Sequence, residues 1–229
     1  MSGKIDQIMA EHYDEVMKAW LHADEFRRDG IAQIRGYVKK NRILRPKIAE
    51  LGSGRGELTE LVLREIPRSV VYAKDSSELM NLKIKENLAR YIDKRLFVLD
   101  DGINYFGNNQ FDIFCSCWTF HNISKDERHS YITCANISLH KNGLFLMLDK
   151  CIPDNADEQQ LLNDIQKRIM TYIENEEIRA SLCEHELRDL SPDFIMREGK
   201  LLDFLKIGFD NVKIDRTYGV DAVITAIKK

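Results

Sequence analysis

The residues best suited to chemistry lie in Lys47-Ile48-Ala49-Glu50-Leu51-Gly52-Ser53-Gly54-Arg55-Gly56. A short apolar run carries a carboxylate and ends in glycines at every second position. Leu58, Leu61, Val62 and Ile66 follow at helical spacing, so the pattern predicts a strand, a tight turn and a helix. Glycine lets such a turn take positive φ and lets a ligand lie against bare backbone. The helix start adds free N–H groups. Glu50, just before the first glycine, suits a ligand bearing an ammonium group.

Two ligand classes use a turn of this kind. The dinucleotide fingerprint G-x-G-x-x-G sets a pyrophosphate on the helix start. Here the third glycine is Gly56, and Glu57 stands where the fingerprint has its last glycine. A carboxylate there repels a pyrophosphate, and Glu50 favours an ammonium, so S-adenosylmethionine (SAM) fits better than NAD. A structural turn with no ligand is the alternative. The E-x-G-x-G-x-G pattern resembles motif I of the class I SAM-dependent methyltransferases. That resemblance implies a cofactor held by Glu50, Gly52, Ser53, Gly54 and Gly56, with S-adenosylhomocysteine as product.

The resemblance continues in register to residue 149. A β-branched strand, 69–73, finishes at Lys74-Asp75-Ser76-Ser77, which resembles the stretch where the family places an acid on the ribose hydroxyls. Aligning Ser76 with the family's serine puts Lys74 at the ribose position and Asp75 one residue later. Three readings stay open: Asp75 takes the ribose by a local adjustment, Lys74 donates to it instead, or Asp75 is a helix-start acid. The third strand, 96–99, leads to Asp100-Asp101-Gly102. The family places an acid beside the adenine amine there, and the next backbone N–H at a ring nitrogen; a solvated loop is the alternative. Phe111–Cys117 is almost continuously apolar, the mark of a central strand covered on both faces. It runs into Trp118-Thr119-Phe120-His121-Asn122, similar to the F-D…L-H-H run of the small-molecule enzymes, among them those of the ubiquinone and menaquinone pathways. Asn122 replaces the second His. The resemblance implies that Cys117 and Trp118 line the cofactor pocket. His121 has the pKa range of a general base; otherwise it is a hydrogen-bonded structural histidine. No [DNS]-P-P-Y motif follows the strand, which weakens the case for methylating a planar amide or base nitrogen. Tyr13, in His12-Tyr13-Asp14, resembles the family's N-terminal tyrosine that covers the cofactor; the alternative is a core residue on an amphipathic helix.

These residues need a scaffold. The expected fold is α/β, a Rossmann-like doubly wound sheet of seven strands, mostly parallel with the last antiparallel. It is read as one domain over 1–229, with N-terminal lid helices in 1–43, a cofactor-binding core in 44–152, a helical insert in 153–190, and the rest of the core in 191–229. Periodicity predicts one helix over about 4–20 and another over 23–38, then helices to 65, over 77–89 and over 125–139. His140-Lys141-Asn142-Gly143 is expected to turn on a positive-φ glycine. Ser191-Pro192 is expected to open a helix over 194–205, before strands at 211–216 and 222–227.

Composition narrows the partners. A formal charge of −3 argues against a general nucleic-acid binder, and no apolar run reaches the ~20 residues of a membrane span. The five cysteines form no C-x-x-C, fit free thiols in a reducing compartment, and with the absence of a signal-peptide core point to the cytoplasm. The reading is a SAM-dependent methyltransferase, of the EC 2.1.1 type, that acts on a small molecule. No metal, nucleic acid or membrane partner is expected, and a homodimer is possible. The rivals are a non-catalytic SAM-fold protein that binds a macromolecular partner, and an NAD-linked oxidoreductase.

Overall fold

The structure, a computed structural model, describes residues 2–99 and 106–229. Its centre is a sheet of seven strands: β1 (Lys47–Leu51), β2 (Val70–Lys74), β3 (Leu96–Val98), β4 (Phe111–Cys117), β5 (Leu139–Lys150), β6 (Phe209–Tyr218) and β7 (Asp221–Lys228). Their order is β3-β2-β1-β4-β5-β7-β6, and only β7 runs antiparallel to its neighbours. This is the Rossmann-like methyltransferase architecture anticipated from the motifs.

Alternation along the strands divides the core. Ile48, Val71, Ile113, Leu146 and Val223 face the helices α3 (Ala23–Lys40), α4 (Glu57–Glu65) and α5 (Glu78–Asn87). Ala49, Phe114, Phe145, Met147 and Ile224 face α6 (Arg128–Ser138) and α9 (Glu198–Lys206). A third cluster lies off the sheet. There Ile8 and Val16, from α1 (Ser2–Glu11) and α2 (Tyr13–Met17), meet Ile165, Ile169, Ile178 and Leu182, from α7 (Glu158–Tyr172) and α8 (Glu176–Asp189). The N-terminal helices and the segment after β5 thus share one apolar seam and form a cap over the carboxyl edge of the sheet.

Three local expectations are corrected. The first helix breaks at His12 (φ −123°) and ends at Met17, which swings Tyr13 towards α3. The expected turn at 140–143 lies within β5, where the pairing with β4 shifts register, and its left-handed residue is Asn142 (φ +63°), not Gly143; asparagine tolerates that region. Gly143 is needed for room, because a Cβ there would stand 2.8 Å from the His140 carbonyl oxygen. The final helix starts at Glu198 rather than 194. The preceding backbone is committed elsewhere: Ile152 N–H donates to Met196 O (2.8 Å), Glu198 N–H to Ile152 O (2.9 Å), and Arg128 to the Phe194 carbonyl.

Gly56 shows why the glycine turn ends where it does. Its φ is +100°, and a Cβ would lie 2.8 Å from both Ile84 on α5 and Leu88 just past its end. This glycine seats α4 against α5 and faces away from the carboxyl edge. Gly56→Ala is expected to cost about 1–3 kcal/mol by overpacking. Urea unfolding reads this out, and an unchanged midpoint would remove the packing role.

Candidate active site

A cleft of about 390 Å³ opens at the carboxyl ends of β1, β2 and β4, under the cap. That is where open α/β sheets place ligands, and the volume is that of a small-molecule site. One end is built by the glycine turn. Gly52 and Ser53 donate their N–H groups to the Lys74 carbonyl (2.7 and 3.1 Å), which ties the turn to β2. A Cβ on Gly52 would fall 2.1 Å from Thr119 Oγ1, so this glycine lets the β1 turn meet the β4 turn. Its neighbour Ser53 is buried in the cleft wall, and its hydroxyl has no hydrogen-bond partner among the described residues.

Glu50 is only 1% exposed yet belongs to the same wall. Thr59 Oγ1 donates to its carboxylate at 2.5 Å. Burial pushes the carboxyl up to about 8; the Thr59 hydrogen bond pulls the other way, and Glu57 and Asp75 add to the rise. Such a group ionises readily only when a cation arrives beside it.

Asp75 turns its carboxylate into the loop. It accepts from Gly54 N–H and Ser77 N–H, both at 2.9 Å. Burial raises its pKa, and the backbone donors of Ser77, Gly54 and Ser76 hold it down. Asp75 and Ser76 line the cleft. Lys74, one residue earlier, alternates to the other face of the sheet and is absent from the cleft wall. Burial raises the Cys134 thiol of α6 and the Lys74 charge lowers it, which puts the ammonium on that side.

The cap side carries two arginines. Arg27 is 6% exposed. It donates to the Tyr13 hydroxyl and lies 4.9 Å from the Trp118 ring centroid. The Arg55 guanidinium lies 4.7 Å from the centre of the Tyr13 ring. Burial raises the Tyr13 phenol, with the Glu57 charge adding to the rise, so the phenol stays neutral between two cations.

Trp118 itself is a bulky residue at φ +48°, a conformation that costs about 1–3 kcal/mol and persists only where neighbours impose it. Here its N–H donates to Leu148 O (2.7 Å) and its indole to Asp221 Oδ1 (2.9 Å). Burial pushes the Asp221 carboxyl up to about 6, with the indole hydrogen bond opposing. Cys117 also lines the cleft; burial pushes its thiol up to about 12, which disfavours the reactive thiolate.

The far end of the cleft is a buried polar cluster centred on Asp149, at the end of β5. Asp149 is fully buried and accepts from Thr119 N–H (2.9 Å), Phe120 N–H (2.6 Å) and His121 Nδ1 (2.6 Å). The tautomer that donates from Nδ1 to this carboxylate carries its lone pair on Nε2. That atom lies 3.7 Å from Asp189 Oδ2. From α8, His185 Nε2 lies 3.5 Å from the same oxygen. Burial pushes the His185 imidazole down to about 3, against the pull of Asp189, so it is neutral at ordinary pH. Lys150 Nζ bridges both Glu186 oxygens (2.8 Å each) and Asp189 Oδ2 (2.6 Å). Burial disfavours its charge, but the two carboxylates hold it above the usual lysine range. Arg188 pairs with Asp189 (2.7 Å) and donates to Asn122 Oδ1 (2.5 Å), which joins the cap to the β4 turn.

Of the residues chosen from sequence, Tyr13, Glu50, Gly52, Ser53, Gly54, Asp75, Ser76, Cys117, Trp118 and His121 share this cleft. Gly56 and Lys74 stand outside it, for the packing and alternation reasons above. Asp100, Asp101 and Gly102 lie outside the described residues. Arg27, Thr119, Lys150, His185, Glu186 and Arg188 also line the cleft and were missed. A signal existed for Arg27, a charge on the stripe of α3 that also carries Gly30, Ile31 and Ile34. Another existed for Glu186 and Asp189, which continue the stripe begun by Ile178 and Leu182 on α8.

The chain matches no protein-family model and no curated protein sequence. It is similar in structure to the PH0226 protein of Pyrococcus horikoshii, with TM-score 0.62, 16% identity, and 96% of this chain and 99% of that one covered. It is also similar to mmp1179 of Methanococcus maripaludis, assigned there as an S-adenosyl-L-methionine-dependent methyltransferase, with TM-score 0.61, 15% identity, and 99% and 91% covered. PigF, solved with SAH, aligns at TM-score 0.57 and 14% identity over 80% of this chain and 50% of that one. The chain spans about half the length of PigF and of the CurJ carbon methyltransferase. At such identities the likeness is one of fold, and the fold is that of the class I SAM-dependent methyltransferases.

Lys150 gives this cluster its test. Lys150→Met leaves Glu186 and Asp189 buried without their shared cation, and is expected to lower stability by about 3–5 kcal/mol. Chemical denaturation measures the loss; a change below about 1 kcal/mol would mean that water already solvates the pair.

Proposed function

We propose that this chain is a SAM-dependent methyltransferase acting on a small-molecule acceptor. The observation that carries the reading is the buried Glu50 carboxylate opening into a glycine-turn cleft at the strand ends. The wall suits SAM residue by residue. Glu50 would take the ammonium, the Ser53 hydroxyl, unpaired among the described residues, would gain a partner, and Asp75 would border the ribose. Arg27 and Arg55, with Tyr13 between them, would close over the polar tail. The folds of PigF, solved with SAH, and of human N-acetylserotonin methyltransferase, solved with SAM, support the same assignment.

When bound, SAM supplies a methyl group on a sulfonium, transferred by in-line displacement. The chain's task is then to hold the acceptor in line, which can supply roughly 7–11 kcal/mol, and to manage its proton. We assign the second task to His121. Asp149 fixes its tautomer, and Nε2 points to the cleft end that α8 closes. We read 1–43 and 153–190 as lids over a single domain whose core is 44–152 and 191–229; such lids exclude water from the chemistry. The five free cysteines support a reducing, cytoplasmic setting.

Isothermal titration is expected to show micromolar binding of SAM or S-adenosylhomocysteine; binding of neither would end the assignment. Glu50 adds a pH signature. With its carboxyl near 8 in the free chain, pairing with an ammonium at pH 7 releases nearly one proton. Affinity should climb up to about tenfold per pH unit towards 8, then fall as the ligand's own α-amino group, near 7.7–8.0, deprotonates. Titrations in buffers of different ionisation enthalpy count the proton. Glu50→Gln should abolish the climbing limb, and a climb that survives the substitution would deny Glu50 the ammonium.

Against acceptors found by a mass-shift screen of cell metabolites, His121→Ala should lower kcat by about 10²–10⁴-fold. SAM affinity should change little. Turnover equal to the parent's would dismiss His121 from the chemistry.

A further inference from the structure

We infer that His121, His185 and Asp189 form a binding site for a divalent transition-metal ion of the zinc type, at the acceptor end of the cleft. The ligand atoms of these three side chains all lie within 4.8 Å of one another. His121 Nε2 and His185 Nε2 stand 3.7 and 3.5 Å from one oxygen, Asp189 Oδ2. An ion about 2.1 Å from each ligand, at a tetrahedral angle, spaces the ligand atoms about 3.4 Å apart. The two spacings to Asp189 Oδ2 are therefore within a few tenths of an ångström of coordination, and the two imidazoles, within 4.8 Å of each other, need only close on the ion.

The surroundings are those of a ligand set rather than of a chance cluster. His121 is held from behind, its Nδ1 on the buried Asp149 carboxylate at 2.6 Å. A carboxylate behind a metal-ligating histidine fixes the ring and raises its basicity. His185 and Asp189 sit one turn apart on α8, so the helix presents both to the same point. Four carboxylates (Asp149, Glu186, Asp189 and Asp221) face three cations, Lys150, Arg188 and Arg128, which leaves the described cluster negative. Lys150 already touches Asp189 Oδ2, but it also grips both oxygens of Glu186. It can keep Glu186 when an ion takes Asp189. Two imidazoles and one carboxylate suit Zn²⁺ or Co²⁺ better than Mg²⁺ or Ca²⁺.

The site leaves one position open, and both histidines line the cleft. Resting on the methyltransferase reading, this names the acceptor class: a hydroxyl or phenol whose oxygen completes the coordination. Its O–H proton leaves to solvent as the oxygen binds the ion, since coordination lowers its pKa. The oxygen's electron pair then forms the O–CH₃ bond as the S–CH₃ bond breaks, leaving a neutral thioether. In the loaded protein His121 acts through the ion; in the ion-free chain its Nε2 takes the proton itself.

The test is a titration of chelator-treated, SAM-free full-length protein with Zn²⁺ and with Co²⁺. One ion per chain is expected, with a tetrahedral Co²⁺ visible spectrum. Affinity should fall by at least about tenfold in His185→Gln and stay as in the parent in His22→Gln. Among the six histidines, only the ring signals of His121 and His185 should shift with Zn²⁺ in ¹⁵N-labelled protein, a readout that needs no variant to fold. Absence of saturable binding, parental affinity in His185→Gln, or shifts confined to other histidines would overturn the site. Because SAM is left out, failure here leaves the methyltransferase reading standing, and failure of SAM to bind leaves this site standing.

Discussion

The Asp149 carboxylate is the contact on which the working end of this molecule depends. It sits at the end of a central strand, sealed from water, and must be satisfied there. Besides Lys150 N–H, next in the chain, the donors that satisfy it are Thr119 N–H, Phe120 N–H and His121 Nδ1. To deliver them, the chain leaving β4 must fold sharply back across β5. That fold-back forces Trp118 into the left-handed region and seats Thr119 beneath Gly52, with its hydroxyl donating to the Gly52 carbonyl at 3.2 Å. One buried acid thus fixes the cleft floor, the Trp118 wall and the histidine together.

The cap is attached by two unlike forces. An apolar seam joins α1 and α2 to α7 and α8, so neither the N-terminal helices nor the post-β5 helices bury their stripes alone. The buried ions then set the angle. Lys150, next to Asp149 in the chain, reaches Glu186 and Asp189 on α8 and so keys the cap to the same strand end that holds His121. Buried ion pairs return little net stability, because desolvation offsets the attraction. What this one supplies is position.

At the other end, the glycine turn is braced rather than merely permissive. Asp75 caps the Gly54 and Ser77 N–H groups, while Gly52 and Ser53 are tied to the Lys74 carbonyl. The acid after β2 therefore builds the loop that a ligand would meet, besides bordering it. Glu50, desolvated behind that loop, stays close to neutral until a cation enters. The two ends differ in how charge is held: one keeps a single desolvated carboxyl, and the other packs several ionised groups of both signs against one another.

Much of this was legible in the chain itself. The Gly52–Gly56 spacing, the β-branched and apolar runs of β1, β2, β4 and β5, and the motif register were sufficient for a seven-stranded sheet with an antiparallel last strand and for the place of the cleft. These are local properties, written in periods of two and of three to four residues. They also placed Glu50, Asp75, Trp118 and His121 at strand ends. What they could not decide is which way each end turns. Lys74 and Asp75 are adjacent, and only the pleat sends one into the α6 side and the other into the cleft. Gly56 is a motif residue, yet it packs on α5 because that helix lies beneath it. Asp149, Lys150, His185 and Asp189 stand up to 68 residues from His121, and no spacing rule links them. Sequence determined the strands and the glycine turn, because backbone preference and alternation act between neighbours. Tertiary structure alone decided the polar cluster, because burial and charge pairing act between groups that meet only when the cap closes over the sheet.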